Sequence, residues 1–269
     1  MKTIDTLIQD IYSTLEQGVD TSRADITDAL EEFAQDVKSA VATTLSEGQR
    51  TGVKNLRLSQ IGKPDRQIWY GLRGTEEETL DGQTKIKFLM GHLLESLLIV
   101  LTKAAGHTVT DAQDVVEVEG VVGHQDCVID GVLVDIKSAS SYSFKKFKDG
   151  TLADNDAFGY MAQISAYATK NNRDEAAFFA IDKNNSELAL LKVHKLEMID
   201  APARIRELKK VATMETAPPR CYSDEPDGAS GNRKLAIGCV FCGYKKECWS
   251  DANQGKGLRA FQYSNGVRY

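Results

Sequence analysis

An α/β fold is predicted by three observations on this chain. At 121–139 two apolar, β-branched runs flank Asp130-Gly131, a dipeptide suited to a two-residue hairpin turn because both turn positions need φ > 0. Before it, 87–106 is apolar around most of its circumference and stops at Gly106, the pattern of a buried helix. After it, 156–170 has helical spacing, and 176–181 and 188–193 form two further apolar strands separated by DKNNSE. Helices and strands thus alternate along the sequence.

Taken in order, 1 to about 50 is polar and helical: Ile4, Leu7, Ile8, Ile11 and Leu15 recur at helical spacing, as do Ile26, Leu30, Phe33 and Val37, with Asp25 as the N-cap of the second helix. Two amphipathic helices packing on the core or on a partner subunit follow from this. Segment 56–74 interleaves Arg57, Lys63, Arg66 and Arg73 with Trp69 and Tyr70; it either grips phosphates and stacks bases or is a structural loop with an anchored Trp. Helix 87–106 carries Glu95, with His92 three residues back on the same side. A carboxylate there needs a core Arg or Lys, or a metal. The stretch 107–120 supplies a strand into the hairpin. Beyond it, Lys145, Lys146 and Lys148 lie beside Phe144 and Phe147, a basic patch for the DNA backbone or a solvated loop. In helix 156–170, Gln163 and Tyr167 share a face, with Tyr160 behind. Another helix spans 198–212, and the one boundary signal is Ala217-Pro218-Pro219.

With 269 residues, 42% hydrophobic, the chain can bury one substantial core and a small appendage. A net charge of −6 gives no global attraction to nucleic acid, so any such binding uses local patches. The longest apolar run, 97–101, lies within a helix, and the N-terminus lacks a long apolar core before a small-residue cleavage site. The expectation is a soluble cytoplasmic protein that does not engage membranes.

The hairpin carries chemistry. If the turn is Asp130-Gly131, Ile129 faces Val132 and, three steps out, Asp126 faces Asp135. Alternation then sets Asp126, Asp135 and Lys137 on one face, Val134 and Ile136 on the other. Facing carboxylates repel, and a divalent cation between them removes that cost. Oxygen donors suit Mg²⁺ or Mn²⁺, and Lys137 can orient a water or stabilise negative charge. The alternative is a solvated charged face. Cys127 falls on the opposite face as a small buried thiol, whereas Cys221, Cys239, Cys242 and Cys248 crowd the C-terminal part, a clustering that favours a metal site over disulfides in a cytoplasmic protein.

Gly91-x-x-x-Glu95, Gly123-x-x-Asp126, Asp135-x-Lys137 and Gln163-x-x-x-Tyr167, in this order, resemble the motifs of PD-(D/E)XK nucleases, and the last element narrows the resemblance to the RecB-like branch that includes lambda-type exonucleases and CRISPR-adaptation nucleases. The resemblance spans about 56–170. It implies a restriction-endonuclease-like mixed central sheet flanked by helices, with metal-dependent phosphodiester hydrolysis. Asp126, Asp135 and Glu95 would bind the metal with the backbone carbonyl of Ile136; Lys137 would orient or help deprotonate the attacking water; Gln163 and Tyr167 would contact DNA or support the site; His92 would stand behind the ligands. Arg66, Lys145, Lys146 and Lys148 are the candidate phosphate contacts.

Cys239-x2-Cys242-x5-Cys248 resembles the triplet that binds a [4Fe–4S] cluster in iron–sulfur nucleases of this branch. Their fourth Cys lies upstream, in a Cys-Pro-Arg-like segment; here that stretch reads Gly62-Lys63-Pro64-Asp65-Arg66, and Cys221 is the available substitute. Four cysteines equally suit structural Zn²⁺. Either metal would staple the C-terminal segment to the core.

These expectations combine into an N-terminal helical segment (1–55), a nuclease core (56–215) and a C-terminal cysteine-cluster segment (216–269). The function they imply is a Mg²⁺- or Mn²⁺-dependent exonuclease acting on single- or double-stranded DNA ends in recombination, repair or phage DNA processing, within the host cytoplasm if phage-encoded, as a homo-oligomer or beside a recombination partner. The rival expectations are a structure-specific endonuclease, a non-catalytic DNA-binding or scaffold protein on the same fold, and a metal-stapled interaction module.

Overall fold

A computed structural model describes residues 2–46, 55–229, 231–263 and 266–269; the end of the expected N-terminal segment, 47–54, lies outside them. In chain order the principal elements are α1 (Leu7–Gln17), α2 (Ala24–Ser46), α3 (Asp65–Leu72), α4 (Gly82–Ala104), β1 (Val109–Thr110), β2 (Val115–Val118), β3 (Val121–His124), β4 (Cys127–Ile129), β5 (Val132–Ala139), α5 (Ser141–Lys148), α6 (Tyr160–Lys170), β6 (Glu175–Asp182), β7 (Leu188–His194) and α7 (Ala201–Thr213). Short strands and single helical turns follow, including α8 (Ile237–Val240) and α9 (Lys245–Cys248).

The central sheet has the order β1-β4-β5-β6-β7. It is mixed: β5 and β6 run parallel, and the other neighbours run antiparallel. A parallel pair needs a crossover, which α5 and α6 provide. The Asp130-Gly131 turn forms with φ of 49° and 87° and pairs Ile129 with Val132 and Cys127 with Val134. Strand alternation divides the core in two. Leu133, Ala176, Phe178 and Ala180 pack with Ile164 and Tyr167 of α6 and Ile205 and Leu208 of α7. Val134, Ile136, Ala177, Phe179 and Ile181 pack on the other side with Leu98 of α4 and Leu7 and Ile11 of α1. The sheet is therefore flanked by helices on both faces, as the resemblance implied. The cysteine-bearing end has its own small cluster of Leu235, Cys239 and Trp249. Among the described residues no helix is long and apolar enough to cross a membrane.

Several elements differ from expectation. The strand expected from 121 to 129 is broken: β3 pairs instead with β2 in a separate ribbon, turned by Glu119 and Gly120 at φ 50° and 72°. Gln125, at the break, is buried and bonds sideways to the Asp111 carbonyl and Asn171, while β1 takes the edge beside β4. The basic patch is no loop but α5, with Phe144 and Phe147 buried beneath its lysines. Helix α4 starts earlier than expected, capped by Asp81, and its first turns expose Ile86, Phe88 and Met90. The basic-aromatic stretch becomes α3, where the Trp69 indole donates to the Met214 carbonyl at 2.9 Å; the anchored-Trp alternative describes it.

Candidate active site and cysteine cavity

The β4 ladder reaches only Val134 of β5, opposite Cys127, while β5 runs on to Ala139, so the Ile136 N–H has no partner in β4. The Asp126 carboxylate takes that place, its Oδ2 accepting from Ile136 N at 2.6 Å. A strand residue directs its N–H and C=O to the same neighbour, so the Ile136 carbonyl also faces the Asp126 side. Asp135 lies on the opposite pleat and is 1% exposed. The Lys137 ammonium pairs with its Oδ2, while Oδ1 has no hydrogen-bonding partner among the described residues. An ionised carboxylate with one buried, unpartnered oxygen is costly. Glu95 approaches from α4, its Oε1 accepting from Gln113 at 2.9 Å.

The electrostatics follow from this crowding. Burial, then the neighbouring Asp135, raises Asp126 well above its ordinary range, and Glu95 adds to the push. Burial also raises Asp135, with Lys137 opposing. Glu95 is pushed up to about 7, first by burial and then by Asp135, against the pull of Lys137. Burial alone would depress Lys137, but Asp135 and Asp126 hold its ammonium above the usual value. Three carboxylates thus resist ionisation together beside one fixed cation, which is how oxygen ligands behave before a hard divalent ion neutralises them. The donor set fits such an ion in kind. As they stand, no three Asp, Glu, His or Cys side chains among the described residues gather around one point, because each carboxylate is drawn to a different protein donor.

The other expected residues divide. Tyr167 is buried, its hydroxyl accepts from Gln163 at 3.3 Å, and burial pushes it up to about 12. His92 is exposed on α4. Lys148 pairs with Glu187 at 2.5 Å and Lys146 donates to the Asn155 carbonyl at 2.8 Å, while Lys145 is exposed. Arg66 is placed differently from a DNA contact. Its Nε donates to Cys248 Sγ at 3.2 Å and its other nitrogens reach Tyr70, at 3.1 Å, and the Pro218 carbonyl. Tyr160, placed behind Gln163 and Tyr167 by the helical spacing, brings its ring to 4.9 Å from Lys137 Nζ. Gln113, in a loop at φ 58°, escaped sequence reasoning as the partner of Glu95 and had no local signal.

The four C-terminal cysteines line one cavity with Arg66, Gln67, Tyr70, Arg220 and Trp249, and none is in a disulfide. Cys242 N donates to the Cys239 carbonyl at 3.1 Å in the tight turn between α8 and α9. Burial raises Cys221, yet the backbone N–H groups of Arg66 and Gln67 act on it in the other direction. Cys221 therefore sits on the first turn of α3, the very segment where the sequence lacks a cysteine. Burial raises Cys221, Cys239 and Cys242 toward the thiol, and N–H groups and a guanidinium near the sulfurs work against it; the donors suit a thiolate-bound metal in kind.

No protein-family model matches the chain, and no curated protein matches it. Among solved structures, SSO0001 aligns over 80% of this chain and 94% of its own, with 14% identity and a TM-score of 0.45. A phage-related exonuclease from Haemophilus somnus 129PT aligns over 60% and 94%, with 15% identity and a TM-score of 0.45. The alkaline exonuclease LHK-Exo of Laribacter hongkongensis aligns over 65% and 88%, with 16% identity and a TM-score of 0.36. These likenesses are faint.

Proposed function

We propose that the chain is a divalent-metal-dependent deoxyribonuclease that removes nucleotides from DNA ends. The observation that carries this reading is Asp135: a buried carboxylate with an orphaned oxygen, flanked by Asp126, Glu95 and a buried lysine. Asp126, Asp135, Glu95 and the Ile136 carbonyl would hold Mg²⁺ or Mn²⁺. When bound, the ion would polarise the scissile phosphate and lower the pKa of a water. Lys137, kept charged by its neighbours, is a poor base and a good anchor; it orients the water and stabilises negative charge developing on the phosphate. Gln113 fixes Glu95, and the Gln163–Tyr167 pair supports the floor. The cysteine cavity would take a [4Fe–4S] cluster or Zn²⁺ through Cys221, Cys239, Cys242 and Cys248, joining the C-terminal segment to α3 as a structural staple.

The test is a cleavage time course on end-labelled linear and closed circular DNA with Mg²⁺, Mn²⁺ or EDTA, beside Lys137→Ala. Metal-dependent loss of linear DNA alone, absent in the variant, is expected. Cutting of circles would make the protein an endonuclease. Absence of cleavage with every metal would overturn the enzymatic reading in favour of a DNA-binding protein.

A further inference from the structure

One half-exposed aromatic ring stacks on the tyrosine that covers the candidate catalytic lysine. Phe158 is 50% exposed and lies in the loop entering α6. Its ring stacks on Tyr160, with centroids 5.5 Å apart and planes 26° from parallel. Tyr160 in turn covers Lys137 and rests on Phe147 and Phe178 of the core. A continuous run of rings leads from the buried core, past the ammonium beside Asp135, to solvent.

The loop that presents Phe158 is fixed. Asp156 accepts from Gly159 N at 2.9 Å with one oxygen and from Met161 N at 2.7 Å with the other. Gly159 takes φ 78°, and its backbone lies so close to Gly62 that a Cβ on Gly62 would fall 2.4 Å from Gly159 Cα. An apolar ring on a mobile loop would bury itself or wander. This one is held half in water, on a rigid mount, with one face against Tyr160.

We propose that Phe158 is a stacking platform for the nucleobase next to the scissile phosphate, and that it makes single-stranded or frayed DNA ends the preferred substrate. The inference rests on the nuclease reading and adds a substrate class to it. A base can lie on a protein ring only when it has left its own duplex stack. The platform therefore favours unpaired nucleotides of any sequence, since every base has a π-face. Phe158 contacts no reacting atom; it is a positioning residue whose effect falls on substrate binding.

The experiment compares wild type, Phe158→Ala, Phe158→Trp and Phe158→Leu on a fluorescein-labelled single strand, with Mn²⁺, using intact strands and strands carrying one abasic residue at successive positions from the end. For Phe158→Ala, KM is expected to rise about tenfold, equivalent to roughly 1.4 kcal/mol of lost stacking, with a smaller change in kcat. Phe158→Trp should restore KM and Phe158→Leu should not. At one position the abasic residue should raise KM in wild type by a similar factor and add little in Phe158→Ala, because both remove the same contact. Equal abasic penalties in wild type and Phe158→Ala at every position would overturn the inference, as would rescue by Leu. Failure of wild type to cleave any strand would defeat the nuclease reading first, and the inference with it.

Discussion

Asp126 Oδ2 and the backbone N–H of Ile136 are joined by a hydrogen bond of 2.6 Å where β4 has already ended. The carboxylate caps the strand as well as carrying charge, and the two roles separate by substitution. Asp126→Asn can keep the bond through its amide oxygen and loses the charge. Cleavage is expected to fall at least about a hundredfold, beyond the loss typical of residues behind metal ligands, with the melting temperature held within a few degrees. Asp126→Ala should lose cleavage and also stability, by about 1–3 kcal/mol for the orphaned N–H. Single-turnover rates and urea melts measure the two effects.

Metal and pH act on the same carboxylates. Glu95 rises from 4.5 to about 7 in the folded protein, so between these values the folded state holds more protons than the unfolded one. Stability must then fall as pH rises through that window and level off above it. In EDTA the melting temperature should decline by a few degrees from about pH 4.5 to 7, relative to Glu95→Gln, which lacks the titrating group. Mn²⁺ should restore it at neutral pH, where the ionised carboxylates find a cation. Calorimetric scans across pH, with and without metal, check the sign.

The basic residues predict a selective salt effect. Lys145 is exposed on α5, whereas the Arg66 guanidinium bonds to Cys248, Pro218 and Tyr70 inside the cysteine cavity. Lys145→Ala should lower the slope of log affinity against log salt by about one phosphate contact and leave folding intact. Arg66→Ala should leave the slope unchanged and weaken the C-terminal segment. Filter binding over a salt series, beside thermal melts, separates them.

The turn and the Gln163–Tyr167 pair are legible because each depends on short-range arithmetic: two positive-φ residues and one helical turn. The α5 helix is hidden in the sequence because its buried stripe is only Phe144 and Phe147, one turn apart among lysines. The β2–β3 ribbon was hidden because Glu119-Gly120 is a weak turn signal, and its formation is what breaks the expected long strand. Gln113 reaches Glu95 across a loop, and Arg66 reaches Cys248 from a distant helix; neither pairing has a local pattern, since both depend on how finished elements pack.

A second long-range clamp is equally absent from local sequence. The His107 side chain is wholly buried, with Nδ1 at 2.6 Å from Asp130 of the hairpin turn and Nε2 at 3.1 Å from Asp10 of α1. The imidazole thus ties the N-terminal helix to the turn that sets the register of Asp126 and Asp135. His107→Ala leaves Asp130 Oδ2 without its imidazole partner, with only the Thr108 N–H on Oδ1, and is expected to cost about 1–3 kcal/mol, the scale for a buried hydrogen-bonding group left unsatisfied. Urea unfolding measures that loss. His107 touches none of the candidate catalytic groups, so the fraction that remains folded should cleave within about twofold of wild type; a large fall in specific activity at full folding would show that the hairpin register depends on the clamp.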